Sequence, residues 1–190
     1  MSTFIAVKYG QLHYHNLKKN KSNALKSNKV NYKGIAFLTQ HSGAEIIWWL
    51  SNADGVYNDI TTCAVEFVLI TDASKDGWGV VTKDNKTGGC WTPVESELNI
   101  KALEMKAVQF GLKSLCKSKS NVHIRLRIDV TVVTYINNMG GTKSCICNLI
   151  ANEIWTWSID RNIWLSAKHL PGSKNVLADE QSRLFDDTTE

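Results

Sequence analysis

The spacing of apolar and polar positions is loose at the start of the chain and sharpens from about residue 62. Val65 to Thr71 alternates and then turns apolar, which predicts a central strand. Gly77 to Thr82 and Gly88 to Thr92 read as two further strands around the polar turn Lys83–Thr87, giving an antiparallel meander. Asn99 is placed to cap a helix running to about Lys117, with Ile100, Leu103, Ala107, Val108, Leu112 and Leu115 at helical spacing. Val122, Ile124, Leu126 and Ile128 alternate with His123, Arg125 and Arg127, which predicts a fourth strand with the arginines on its polar face. A short helix from Thr131 to Met139 stops at Gly140 and Gly141, and a longer one runs from Cys145 to Asp160. Ile163 to Ala167 is the last strand, and after Pro171 and Gly172 a final helix continues through Arg183. Helical connections between strands 1, 4 and 5 make them parallel neighbours. The fold class is therefore α/β: one five-stranded mixed sheet, strands 1–3 antiparallel and 1-4-5 parallel, flanked by helices.

The first third is different. Lys18 to Lys33 holds six lysines and few large apolar residues, so residues 1–44 read as a basic, weakly ordered arm. Ile46, Ile47, Trp48, Trp49 and Leu50 predict a short packed helix within a connection segment, residues 45–61; without a partner it would leave a sticky exposed patch. The folded domain is expected over residues 62–187.

Composition narrows the class. The 190 residues suffice for one domain with a sizeable core, and 21% charged residues suit a water-exposed globular surface. No apolar run approaches the ~18 residues of a membrane span, and no secretory signal is visible. Cys63, Cys90, Cys116, Cys145 and Cys147 form an odd set without paired spacing, read as reduced thiols of an intracellular, cytoplasmic or nuclear, non-secreted protein. The net charge of +4 lies entirely in residues 1–60, where seven lysines face Glu45, Asp54 and Asp59. Such an arm can attract phosphate, or simply be solvated.

Four acids stand out. Asp72 ends the first strand and Asp129 the fourth, so both should emerge at the carboxyl ends of neighbouring parallel strands, where open α/β sheets place their sites. Glu104 lies about one turn into the first long helix, and Asp179 lies in the last helix. Each has an ordinary alternative: a turn residue, a solvated helix residue, a helix cap and an acidic surface residue, respectively. Together they favour metal binding, because clustered carboxylates repel and hard divalent ions relieve that repulsion.

The motifs around these acids resemble the ribonuclease H domains of retroelements. Ile70-Thr71-Asp72-Ala73-Ser74 with Gly77-Trp78-Gly79 resembles their opening strand, and Asn99 to Ala107, around Glu104, their second motif. Asp129 with Tyr135-Ile136-Asn137-Asn138-Met139-Gly140-Gly141 resembles the third. His169-Leu170-Pro171-Gly172, Asn175, Ala178-Asp179 and Ser182-Arg183 resemble the last. The third motif, Trp91 and Trp48-Trp49-Leu50 look most like the DIRS-type, tyrosine-recombinase retrotransposons. The resemblance covers roughly residues 45–187.

It implies a ribonuclease H-like fold and cleavage of the RNA strand of RNA/DNA hybrids with two Mg²⁺ ions, Mn²⁺ being possible, leaving 3′-hydroxyl and 5′-phosphate ends. Carried over by motif, Asp72 would bridge both ions, Asp179 would hold the ion on the attacking side, and Glu104 and Asp129 the ion on the leaving side. His169 would assist proton transfer or product departure. Ser74, Trp78, Asn137 and Asn138 are candidates to touch the nucleic acid, with core packing the alternative for Trp78 or Trp91. The hybrid is the expected partner, with no membrane role and with a reverse transcriptase domain outside this chain as a candidate second partner, since 60 residues cannot hold a polymerase. The chain reads as a piece, or a degraded copy, of a retroelement polyprotein. Val130 departs from the pattern: a small polar residue usually follows that acid, and valine cannot hydrogen-bond, so the site should be looser. A catalytically impaired nucleic-acid-binding module is the alternative. A DNA-cutting relative of the same fold fits less well, because such relatives place their third acid late in the chain.

Overall fold

The computed structural model describes residues 7–55, 64–141 and 143–184. Cys63, residues 56–61 of the expected connection and residues 185–187 lie outside them. At the centre is one five-stranded sheet in the order β3-β2-β1-β4-β5. Its strands are β1 (Phe67–Ala73), β2 (Gly77–Val81), β3 (Lys86–Cys90), β4 (His123–Ile128) and β5 (Trp164–His169). β1, β2 and β3 pair antiparallel, while β4 runs parallel to both β1 and β5, which is the expected mixed sheet. The helices are α1 (His15–Ser27), α2 (Gln40–Asn52), α3 (Pro93–Ser96), α4 (Ile100–Leu115), α5 (Val130–Asn137), α6 (Cys145–Ile159) and α7 (Val176–Arg183).

Period-two burial builds the sheet's inner face. Leu69 opposes Leu126, and Ile124 opposes Leu165. All four are nearly or wholly buried, in one cluster with Met105, Val108 and Leu112 of α4 and Ile150, Ile154 and Trp155 of α6. Burying each such side chain contributes about 1.5–3 kcal/mol, so the interdigitated cluster fixes the register of β1 against β4. That register decides where the acids go, because parallel neighbours deliver Asp72 and Asp129 to the same sheet edge.

The other face explains Gly77 and Gly79. α7 lies directly over β2, close enough that a Cβ at Gly79 would meet the Ala178 carbonyl and sit 2.6 Å from the Ser182 amide nitrogen. A Cβ at Gly77 would fall 2.9 Å from the Ser182 carbonyl oxygen. Two glycines one pleat apart thus form a flat bed for the helix that carries Asp179.

The N-terminal segment differs from its expected weak order. Val7 and Leu12 are buried, and Tyr9 packs on Trp155 and Trp164 with ring centroids 6.2 and 6.0 Å away. A 3-10 turn (Gly10–His13) then leads into α1. Buried Glu45 of α2 caps α1, accepting from the backbone amides of Asn16 at 3.0 Å and Leu17 at 2.7 Å. The cause is tertiary: three scattered apolar side chains gain burial that no periodic signal announces. α1 itself buries no residue, as a lysine-rich helix should not. α2 is longer than the expected apolar run because Thr39 caps it, accepting from the Ser42 amide. Its Ile47 and Leu50 are exposed.

Among the described residues no helix is long and apolar enough to cross a membrane. The four described cysteines are free thiols.

Candidate active site

Asp72 is the anchor. It sits near the carboxyl end of β1, opposite Gly79, and its two oxygens accept from Asn175 Nδ2 at 2.9 Å and Ser182 Oγ at 3.0 Å. Both donors come from the last motif, and α7 reaches them across the glycine bed. Burial, with Asp179 adding to it, raises the Asp72 carboxyl above its ordinary value against these hydrogen bonds. Asn175 also donates to the Thr71 carbonyl at 3.2 Å, so one buried amide holds both the strand and its acid. Asn175 and Ser182 stand in the last sequence motif without an assigned role. Their spacing around Asp179 was the signal.

Glu104 approaches from α4. Its Oε2 is buried and has no hydrogen-bond partner. Burial first, then the charges of Asp72 and Asp129, push its carboxyl up to about 8. A buried, unpartnered carboxylate oxygen costs several kcal/mol if ionised without a cation. Glu104 is thus the group that most needs positive charge, and it feels two other acids of the predicted set.

Asp129 caps α5. Its Oδ1 accepts from the Thr131 amide at 2.8 Å and the Thr131 hydroxyl at 2.7 Å. These bonds, with the nearby His169 charge, outweigh burial and hold its carboxyl below the ordinary value. Val130 points outward, half-exposed, at the first helical position. The hydroxyl it lacks is supplied one residue later by Thr131, so Asp129 is not loosely held. His169 ends β5, paired in register with Ile128, and is exposed at the same edge.

Asp179 is near enough to raise the Asp72 carboxyl, but its Oδ1 faces Arg183, 2.8 Å from Nη2 and 2.9 Å from Nε. The side chains of this pair are 43% and 61% exposed. An exposed i,i+4 pair contributes about 0.3–0.5 kcal/mol, and an aspartate cap about 1 kcal/mol. Turning Asp179 or Asp129 toward a divalent ion therefore costs little. In their present rotamers, among the described residues, no three Asp, Glu, His or Cys side chains form a group that could hold a metal ion. The donor set nevertheless fits hard cations: all oxygen, with one buried atom unpartnered.

The four expected nucleic-acid contacts fare differently. Ser74 is buried; its Oγ donates to the Ser182 carbonyl at 2.8 Å and accepts from the Gly77 amide at 3.0 Å, organising the β1–β2 turn. Trp78 packs edge-on to Phe110 at 5.4 Å. Trp91 is buried and donates to the Ser74 carbonyl at 3.0 Å. Asn137 clamps β5: its amide donates to the Ala167 carbonyl at 2.9 Å and accepts from the Ala167 amide at 2.8 Å. Ser74 and Asn137 are thus engaged in protein contacts that sequence spacing did not reveal, while Trp78 and Trp91 take the packing role weighed for them. Asn138 is exposed and lines a cleft beside the acids. Arg125 donates to Ser166 Oγ at 3.4 Å, and Arg127 is exposed.

No family model and no curated protein matches this chain. Solved structures do. The ribonuclease H1 of Halobacterium salinarum is similar with a TM-score of 0.52 and 18% identity, over 64% of this chain and 98% of that one. LC11-RNase H1, isolated from compost by a metagenomic approach, is similar with a TM-score of 0.51 and 20% identity, over 65% of this chain and 97% of that one. The same enzyme in complex with RNA/DNA hybrid gives 0.51 and 20%, over 61% and 93%. Nearly the whole of each neighbour is thus matched by part of this chain, at the level of topology. The chain has the ribonuclease H fold.

Proposed function

We propose that this protein is a metal-dependent endonuclease that cleaves the RNA strand of RNA/DNA hybrids, as the ribonuclease H part of a DIRS-type retroelement reverse transcriptase acting inside the cell. The observation that carries this reading is the buried, unpartnered oxygen of Glu104, electrostatically coupled to Asp72 and Asp129 at one sheet edge. The fold and the order of the sequence motifs support it.

Asp72, Glu104, Asp129 and Asp179 would hold two Mg²⁺ ions, or Mn²⁺. Such ions would offset the charge that develops on the attacking and leaving oxygens of an in-line displacement. The protein's own groups do the positioning. Ser182 and Asn175 fix Asp72 from two sides. Thr131 fixes Oδ1 of Asp129 through both its amide and its hydroxyl. Arg183 holds Asp179 by an exposed pair that is cheap to break. His169, exposed at the end of β5, would take or give a proton at the rim. The hybrid would be told from duplex DNA by 2′-hydroxyls. Of the four contacts read from the sequence, Asn137 and Asn138 are exposed, and the Asn137 amide is committed to the Ala167 backbone, so Asn138 suits that role best.

A second reading has its own observation. Asp129 and Asp179 are turned to protein partners, and no three acids stand grouped for an ion among the described residues. That favours a module that binds hybrid without cutting it. Cleavage of an end-labelled RNA/DNA hybrid with Mg²⁺ or Mn²⁺, beside duplex DNA and duplex RNA, separates the two. Hybrid-selective cutting to 3′-hydroxyl and 5′-phosphate ends, abolished by Asp72→Asn, is expected. Binding without cutting would leave the inactive module, and equal cutting of duplex DNA would point to an integrase-like enzyme.

A further inference from the structure

Strand alternation builds a basic surface on the face of the sheet that α7 covers only in part. Ile124, Leu126 and Ile128 turn inward, so Arg125 and Arg127 turn outward; beside buried Leu165 and Ala167, Ser166 and Lys168 of β5 do the same. The register sets these residues in rows. Val68, Arg125 and Ser166 form one row, and Ile70, Arg127 and Lys168 the next. Neighbouring strands lie about 4.8 Å apart, so Arg127 and Lys168 stand side by side. Asp72 comes one pleat after Ile70, and Asp129 two residues after Arg127. The basic face therefore begins where the carboxylates end.

This half of the sheet is open. α7 packs over β1, β2 and β3, while Val68 is 37% exposed and Arg127 and Lys168 are exposed. Like charges directly opposite one another on a sheet are destabilising. Among the described residues the ion pairs are Lys106–Glu95 and Arg183–Asp179, and neither serves these cations. Arg125 is tethered by Ser166 Oγ at 3.4 Å, which also lies 2.8 Å from His123 Nε2. Glu66 lies at the far end of the face, its amide bonded to the His123 carbonyl. Asp72 and Asp129 offset the repulsion only while no metal ion holds them. A face that is open and cationic when the site is loaded matches an anion from outside the chain. Shape selects which one. A duplex seated on the sheet edge cannot turn down onto the face, because a double helix stays straight over about 150 base pairs. A single strand can make that turn.

We propose that the outer face of β4 and β5 binds the phosphates of a single-stranded extension of the nucleic acid held at the carboxylates, through Arg127 and Lys168 side by side and Arg125 one row below. This rests on the nucleic-acid reading of the site and extends it: a hybrid with an unpaired tail is gripped more tightly than a blunt one.

The test uses the full chain and fluorescein-labelled RNA/DNA hybrids in Ca²⁺, blunt or with an unpaired tail of about eight nucleotides on either strand, read by anisotropy across a salt series. Each phosphate contact to a single strand steepens the slope of log K against log salt by about 0.7. A tail on one of the strands is expected to tighten binding about three- to tenfold at about 0.1 M salt and to steepen the slope by about two. Arg127→Gln and Lys168→Gln should each remove about 0.7 of that increment, and the double variant should bind tailed and blunt hybrids alike. Both side chains are exposed, so the melting temperature and the affinity for blunt hybrid should stay at the wild-type values. Lys113→Gln makes the same charge change in the last turn of α4 and should leave the increment intact. Equal binding of tailed and blunt hybrids by the wild type, an increment that survives in the double variant, or its equal loss in Lys113→Gln would overturn the assignment. So would poly-glutamate that binds through Arg127 and Lys168 while the tail adds nothing, which would point to an acidic protein partner. The two readings fail separately. A chain that grips the tail but cuts no hybrid loses the nuclease reading alone. A chain that cuts blunt hybrid and gains nothing from a tail loses the outer-face site alone.

Discussion

Glu104→Gln should stabilise the metal-free protein at pH 8 and leave it nearly unchanged at pH 5. The substitution keeps the shape of the side chain and removes its charge. Burial and the charges of Asp72 and Asp129 move the Glu104 carboxyl from its ordinary 4.5 to about 8. Across that interval the unfolded chain has released a proton that the folded chain retains, so stability falls as pH rises from 4.5 to 8. At about 1.4 kcal/mol per pH unit the ceiling is roughly 5 kcal/mol. Glu104 is only partly buried, and with water access and an effective dielectric near 20 about 1–2 kcal/mol remains. For a chain of this size that is roughly 2–8 °C in melting temperature. Thermal melts in EDTA at pH 5 and pH 8 read the difference between the two proteins, which removes the contributions of Asp72 and Asp129. Mg²⁺ should then raise the melting temperature of the wild type at pH 8 and raise Glu104→Gln less. A variant less stable than wild type at pH 8, or equally shifted at both pH values, would refute the claim that Glu104 is a buried acid lacking a cation.

Other perturbations probe the supports of the site. Gly79→Ala should push α7 off the sheet at a cost of about 1–3 kcal/mol and abolish hybrid cleavage, read by melting and by the labelled-hybrid assay, because the new Cβ meets the Ala178 carbonyl. Asn137→Ala should destabilise by about 1–3 kcal/mol through the lost clamp on Ala167, with no change in the salt slope of hybrid binding. His13 stacks on Trp48 at 3.9 Å, and burial lowers its pKa from 6.5 to about 4. Between those values the unfolded chain takes up a proton that the folded chain does not, so stability falls as pH drops from 6.5 toward 4. After discounting for its partly buried ring the loss is on the order of 1 kcal/mol, and His13→Phe should flatten that slope in denaturant titrations.

The sheet was legible in the sequence because its signal is local. The alternation from Val122 to Ile128 became β4, and the acids at the ends of β1 and β4 followed from helical connections that force parallel pairing. Boundaries moved where turns decide them. β3 begins at Lys86, two residues earlier than expected, because Thr82 closes the hairpin by accepting from the Asn85 amide at 3.0 Å. α3 went unread although its capping box is written in the sequence: Thr92 and Glu95 cap each other's backbone around Pro93. The roles of Ser74 and Asn137 were not legible, since each depends on partners far away in the chain: the Ser182 carbonyl and the Ala167 backbone. The same holds for Val7 and Leu12, whose burial is purely tertiary.

A crystal structure of the full chain with an RNA/DNA hybrid and Ca²⁺, which supports binding while slowing cleavage, tests the site most directly. Two ions should appear at the end of β1, both touching Asp72, with Asp179 released from Arg183 and Glu104 Oε2 turned onto one of them. A bound hybrid with no ion at Asp72, and Asp179 still paired to Arg183, would contradict the metal-dependent nuclease.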